Sequence, residues 1–222
     1  MKPSMSNTGE QIGEQTGDRL ARKMVIGIVG GIGAGKSHVA RLLGKLGAVV
    51  VDSDQLARSA YQDNAVQRAV VEQLGEGVLG ADGLIDRSKV ASIIFSDSQK
   101  RKALEAIIHP RIEAQRIAIS QAAPVGTRAI VWDSPLLFES GLADRCDAIV
   151  MVDVSREERL RRVRENRGWS EAELDRREAS QWPVEKKRNS ATHVVENGAD
   201  QEELKRELKR LLDELENKKR PR

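Results

Sequence analysis

From Met24 the chain runs Met-Val-Ile-Gly-Ile-Val without a polar side chain and then enters a glycine-rich turn at Gly30. An unbroken apolar run of that length, bounded by glycine, predicts a strand buried on both faces, as in a parallel sheet. Beyond the turn, Val39, Leu42, Leu43 and Leu46 recur at helical spacing, and Gly47 stands where helices commonly end, so a helix with one apolar stripe follows. Ala48 to Val51 predict a second strand, with the polar Asp52-Ser53-Asp54 at its carboxyl end. Ligands of open α/β sheets sit at that end. Between about Tyr61 and Ala123 the apolar spacing is helical, interrupted by Gly75, Gly77, Gly80 and Gly83, with no strong strand candidate. Strands are expected again at Ala129 to Trp132, at Ala148 to Val152 and, shorter, at His193 to Val195. Leu204, Leu208, Leu211 and Leu215 then mark a final amphipathic helix.

This order divides the chain into one α/β domain with insertions. Residues 1–23 are polar and lack a sustained period, so they read as a disordered extension. The domain spans residues 24–217, with a core at about 24–60, 124–154 and 190–217, a helical insertion at about 61–123 and a lid at about 155–189. Residues 218–222 form a basic, frayed tail.

Composition narrows the function classes. Of 222 residues only 3% are aromatic, so Val, Ile, Leu and Ala must build the core. The 37 basic and 34 acidic residues are interleaved and leave a net charge of only +3. That balance, with few aromatics for base stacking, argues against a nucleic-acid partner. Cys146 is the single cysteine, which excludes an intramolecular disulfide and predicts a buried, inert thiol. No apolar run approaches the length of about 18 residues needed to cross a bilayer, and the N-terminus lacks the apolar core of a signal peptide. A cytoplasmic protein without a membrane partner is expected, a monomer or small homo-oligomer.

Candidate chemistry enters at the first turn. Gly30-Gly31-Ile32-Gly33-Ala34-Gly35-Lys36-Ser37 satisfies G-x-x-x-x-G-K-[ST] between a predicted strand and a predicted helix. Glycines at such a turn let backbone N–H groups converge on phosphate oxygens at a helix N-terminus. Lys36 supplies a charge for the β- and γ-phosphates of ATP, and Ser37 a hydroxyl ligand for Mg²⁺. The fold class is therefore a P-loop NTPase, three layers around a mainly parallel sheet. A guanine-reading Asn-Lys-x-Asp is absent, because Asn217-Lys218 has no Asp after it. The chain is too short for the partner domains of a motor or transporter. A small kinase remains, or a non-catalytic ATP-binding module.

Several side chains fit a kinase. Asp54 follows the second strand, where its carboxylate accepts a proton from an acceptor hydroxyl or aims that hydroxyl at the γ-phosphate. Asp52 either binds metal-held water or caps the next helix, expected to start near Gln55. Asp133 ends the strand Ala129–Trp132, either as a metal-holding acid or as part of a turn with Ser134-Pro135. From Arg156 to Arg167 there are six arginines and three glutamates, a charged helix whose function as a lid needs only one or two of Arg159, Arg162, Arg164 and Arg167. Most of the others belong to a solvated face.

Together these residues resemble the dephospho-coenzyme A kinases. The resemblance rests on Gly30–Ser37, on Val-Asp-Ser-Asp at 51–54 and on Leu-Glu-Ala-Ile-Ile-His-Pro-Arg-Ile at 104–112. It rests further on Asp-Ser-Pro-Leu-Leu-Phe-Glu at 133–139 and Val-Glu-Asn-Gly at 195–198. It implies transfer of the γ-phosphate of ATP to the ribose 3′-hydroxyl of dephospho-CoA, with Mg²⁺. It implies that the loop from Gly30 to His38 and the pair Asn197-Gly198 hold ATP, the pair lying near the adenine. Ser37 and Asp133 would hold the metal. Asp54, His109 and Arg111 would meet the acceptor, and Lys36, Asp54 and a lid arginine would carry the reaction. Pro110 should break or kink its helix and so aim His109 into the cleft. Two positions depart from the family pattern: His38 stands where Thr is frequent, and the segment Glu165 to Trp169 leaves the lid arginine open between Arg164 and Arg167. A kinase of another small acceptor, such as a nucleoside monophosphate, remains an alternative.

Overall fold

A computed structural model describes residues 23–198 and 200–219. The expected N-terminal extension, apart from Lys23, lies outside them, as do the last three residues of the basic tail.

The first apolar run forms strand β1 (Val25–Gly30), buried at every position. Helix α1 (Lys36–Lys45) follows the glycine turn and ends at Leu46, with Gly47 at φ +100°. Strand β2 (Val49–Asp52) leads directly into helix α2 (Ser53–Ala60), capped by Asp52. Then come α3 (Asn64–Leu74), α4 (Arg87–Ser96) and the long α5 (Ser98–Ala122). The chain returns to the sheet as β3 (Ile130–Asp133) and β4 (Ala148–Asp153). After α6 (Arg156–Arg167), α7 (Glu171–Glu178) and α8 (Val184–Ser190), β5 (His193–Glu196) precedes α9 (Gln201–Lys219).

The five strands make one parallel sheet in the order β2-β3-β1-β4-β5. Because successive side chains of a strand face opposite ways, β1 supplies both halves of the core. Ile26 and Ile28 pack with Val39 and Leu43 of α1 and with Leu204, Leu208 and Leu212 of α9. Val25 and Val29 pack on the other face with Leu56, Trp132, Leu137 and Met151. The expected three-layer arrangement is thus present. A separate cluster of Val66, Val70, Val78, Val90, Leu104 and Ile108 holds α3, α4 and α5 together. Gly75 (φ +88°) ends α3, and Gly83 (φ +76°) turns the short link closed by the Leu79–Ile85 bridge. Positive φ at those two positions accounts for Gly75 and Gly83 among the glycines that punctuate the helical stretch.

Four local expectations are corrected. Pro110 does not break its helix: α5 continues from Ser98 to Ala122 with the proline inside. Proline removes a backbone donor and crowds the carbonyl one turn back, but Leu104, Ile108 and Ile112 on either side of it are packed into the apolar clusters, which holds the segment helical. Helix α2 begins at Ser53 rather than near Gln55, since Asp52 Oδ1 accepts from the N–H groups of Asp54 (2.9 Å) and Gln55 (3.0 Å). Lys218 and Lys219 belong to α9 instead of a frayed tail. Cys146 is half-buried, and its thiol donates to Leu142 O at 3.4 Å. Among the described residues no helix is long and apolar enough to cross a membrane.

Candidate active site

At the carboxyl end of the sheet the link from β1 to α1 wraps around an open cavity of about 490 Å³, lined by Gly33, Lys36, Ser37, Asp54, Asp133 and Arg167 among others. The backbone needs glycine there. Gly33 (φ +83°) and Gly35 (φ +88°) are left-handed, and a Cβ on Gly33 would fall 2.8 Å from Arg159 O. Lys36 Nζ donates to Gly30 O (3.2 Å) and Gly31 O (3.3 Å), closing the loop on itself. Burial lowers the Lys36 pKa to about 8, against the opposing pull of Asp133. An ammonium partly withdrawn from water at the edge of an open cavity gains from a phosphate that replaces the lost solvation.

Ser37 Oγ donates to Asp133 Oδ2 at 2.7 Å. Asp133 ends β3 beside Asp52, its register partner on β2, and burial raises its pKa while the Ser37 hydrogen bond lowers it. Hydroxyl and carboxylate oxygens this close are the donor set a hard divalent cation takes. Asp54 lies in the first turn of α2 with its side chain exposed, two residues beyond the capping Asp52. It borders the P-loop cavity and also a second one of about 680 Å³, which extends past His109 and Pro110 on α5 and Leu136 after β3. Asp54 and Pro135 are common to both.

On the opposite side of the loop, a third cavity of about 610 Å³ runs along Asp153 to Ser155, Arg161, Arg162, Asn197, Gly198 and Gln201. Buried Asn197 donates Nδ2–H to Ala34 O (2.8 Å), and Arg162 donates to Ala34 O (3.3 Å) and Asn197 O (2.9 Å). These bonds fasten the β5–α9 link and α6 to the P-loop, and they leave Gly198 on the cavity wall. His38 Nε2 sits 2.5 Å from Gln201 Oε1, so this position ties α1 to the start of α9 while bordering the P-loop cavity.

The geometry joins a glycine-rich loop closed on Lys36, a hydroxyl–carboxylate pair and a carboxylate at the mouth of a second cavity. A family model described as dephospho-CoA kinase matches residues 24–203. The chain belongs to the dephospho-CoA kinase family. A dephospho-CoA kinase of Geobacter sulfurreducens is 42% identical over 189 residues, covering 84% of this chain and 96% of that protein. One of Geobacillus kaustophilus is 38% identical over 191 residues, covering 85% and 95%. The crystal structure of TT1252 from Thermus thermophilus superposes with a TM-score of 0.76 at 39% identity, covering 87% of this chain and 98% of that one.

Within this dephospho-CoA kinase the structure separates the sequence candidates. Arg167 borders the P-loop cavity, together with Arg162 of the same helix. Arg164 does not: it shares a different, shallow cleft with Glu157, Leu160, Arg161 and Glu165. Residues 157, 160, 161 and 164 form one helical face, whereas 159, 162, 163 and 166 form the one turned to the loop. Arg111 is likewise redirected, pairing with Asp63 at 2.6 Å beside the start of α3 and leaving His109 alone of that pair on the second cavity.

Other groups carry no motif. Arg159 is 5% exposed; its Nη1 donates to Ile32 O at 3.4 Å and to Glu178, whose Oε1 also accepts from Ile32 N–H at 3.3 Å. Thus α6 and α7 grip the apex of the dephospho-CoA kinase P-loop from outside. Lys187 is 2% exposed and donates to Gln181 Oε1 at 2.7 Å, with Glu139 at 3.9 Å; burial lowers its pKa. Only the charge of the segment pointed toward Arg159, and nothing in the pattern singled out Lys187.

If Arg167 is the lid arginine, Arg167→Ala will lower kcat at least about 10²-fold, toward the range lost with transferred arginine fingers. Arg164→Ala, on the far face, will stay within about threefold, because a solvent-facing arginine adds little. Steady-state kinetics on both variants decide the assignment, and a larger loss for Arg164→Ala would reverse it.

Proposed function

We propose that the P-loop and Asp54 form one reaction centre, in which the γ-phosphate of ATP passes to the ribose 3′-hydroxyl of dephospho-CoA. The products are coenzyme A and ADP, the last step of coenzyme A synthesis. The observation that carries the reading is the place of Asp54, on the wall between the cavity of the P-loop and the cavity beside α5. An acceptor seated in the latter presents its hydroxyl to the former past this carboxylate and Pro135, the two residues the cavities share.

In this reading the backbone N–H groups from Gly30 to Ser37 hold the β- and γ-phosphates, and Lys36 opposes their charge. The adenine of ATP lies against Asn197 and Gly198. Asp54 accepts the hydroxyl proton or fixes the hydroxyl in line with the γ-phosphate. Arg167 meets the charge that spreads over the transferred oxygens. His109 borders the acceptor, whereas Arg111 is tied to Asp63. Ser37 and Asp133 would hold Mg²⁺, which would supply positive charge against the phosphates. Most of the rate then comes from positioning and electrostatics, since phosphoryl transfer requires little covalent work from the protein.

We assign the sheet core, the helical unit of α3 to α5 and the segment from α6 to α8 to catalysis, acceptor binding and closure. We place the enzyme in the cytoplasm, without a nucleic-acid partner. Coupled ADP release with Mg-ATP and a panel of dephospho-CoA, adenosine, AMP, CMP and shikimate tests the reading. Dephospho-CoA should be preferred by orders of magnitude, and a better rate with CMP or shikimate would overturn it.

A further inference from the structure

The cavity beside α5 holds an arrangement that the reaction centre does not use. His109, Glu113 and Arg116 occupy one face of α5 at i, i+4 and i+7, and all three border the cavity. Arg116 is 5% exposed. Its Nη1 donates to Glu113, and its Nη2 lies 3.4 Å from Ser53 Oγ. Arg145, exposed at the rim, donates to the other oxygen of the same carboxylate. Both guanidinium groups lie over the ring of Trp132, at 5.4 and 5.3 Å from its centroid. Buried Arg116 Nε and Trp132 Nε1 have no hydrogen-bond partner.

Two cations therefore share one anion on a wall that a ligand reaches. A buried guanidinium is costly unless fully paired, and a single glutamate satisfies one arginine, not two. The positive charge left over at this pair faces a cavity whose wall is mixed, with apolar Pro110, Ile112 and Leu142, the hydroxyls of Ser134 and Ser140, and the carboxylate of Asp54 on the side of the P-loop. Planar, donor-rich guanidinium groups match phosphate oxygens better than any other side chain. Ser53, which approaches Arg116, is the chain neighbour of Asp54, about 3.8 Å away between Cα atoms. Arg116, Ser53 and Asp54 border the same cavity, so an anion on Arg116 and a hydroxyl at Asp54 would occupy one continuous space.

We propose that Arg116 and Arg145, held by Glu113 and Trp132, form the subsite for the 5′-diphosphate of the acceptor and thereby select a nucleotide diphosphate ester over a bare nucleoside. This rests on the acceptor reading above. The diphosphate lies one ribose from the 3′-hydroxyl, so binding it here sets the hydroxyl at Asp54. Neither arginine touches the transferred phosphoryl group; both act on affinity and orientation.

The test uses Arg145→Gln first, because the exposed side chain can change without disturbing the core, and then Arg116→Gln. Arg145→Gln should raise KM for dephospho-CoA about tenfold, the scale of one lost charged hydrogen bond. Its kcat, its KM for ATP and its melting temperature should stay near wild type. The inhibition constant of adenosine against dephospho-CoA should be unchanged, since adenosine has no diphosphate. Arg116→Gln should show the same split, more strongly. Unchanged KM for dephospho-CoA in Arg145→Gln, or an equal rise for ATP, would overturn the subsite while leaving the reaction intact. Failure of the wild-type enzyme to use dephospho-CoA would instead remove the acceptor reading and the subsite with it.

Discussion

Lys36→Ala is expected to lower kcat at least about 10³-fold, because no other group among those on the P-loop cavity brings a positive charge from within the phosphate cradle itself. The fold should survive, since the ammonium donates only to Gly30 O and Gly31 O, and its burial opposes the charged form. Circular dichroism and thermal melting separate loss of activity from loss of structure. Activity within tenfold of wild type would remove Lys36 from the mechanism.

The same lysine predicts a pH effect of definite sign. Its pKa in the ligand-free protein, about 8, lies below the ordinary 10.5. Between those values the unfolded chain binds more protons than the folded one, so this group's destabilising contribution fades as pH rises through the window. ATP binding runs the opposite way, because the phosphates favour the ammonium. Affinity for ATP should weaken as pH rises above about 8, by up to tenfold per unit, and Lys36→Ala should not show the effect. Fluorescent-nucleotide titrations from pH 7.5 to 9.5 decide it; equal slopes in both proteins would refute the assignment.

Asp54→Asn is the second large effect. Removing a general base commonly costs about 10² to 10⁴ in kcat. Asparagine keeps the shape of the exposed side chain, and the turn beneath it is held by Asp52, so helix α2 should form unchanged. ATP is held elsewhere, and its KM should stay within about threefold. A parallel collapse of ATP affinity would mean that Asp54 serves the metal or the phosphates rather than the acceptor. If the carboxylate only aims the hydroxyl, asparagine retains part of that function and kcat falls by about tenfold.

Much of this was legible in the sequence because it is local. A strand buried on both faces must be apolar throughout, and β1, β3 and β4 stood out for that reason. A loop that wraps phosphate needs glycine at left-handed positions, then a lysine and a hydroxyl, and Gly33, Gly35, Lys36 and Ser37 carry that requirement in eight consecutive residues. The apolar stripe of α9 placed it on the sheet. Asp54 was singled out from its position after a strand, and the structure sets it on the wall of both cavities.

The tertiary structure decided what local pattern leaves free. Helix α6 has only Leu160 and Val163 among its charges, so its rotation is not written in an apolar stripe. Packing of Val163 and Arg159 against the P-loop sets that rotation, turning Arg167 inward and Arg164 away. Arg111 and Arg116 are equally charged and lie on the same helix, but one meets Asp63 and the other lies over Trp132, because a side chain's partner depends on which element packs beside it. Pro110 stayed helical for the same reason: the contacts of a long packed helix outweigh one missing hydrogen bond. Residue type and spacing therefore determined the chemistry and the order of elements, while the direction of each charged side chain depended on contacts between segments far apart in the chain.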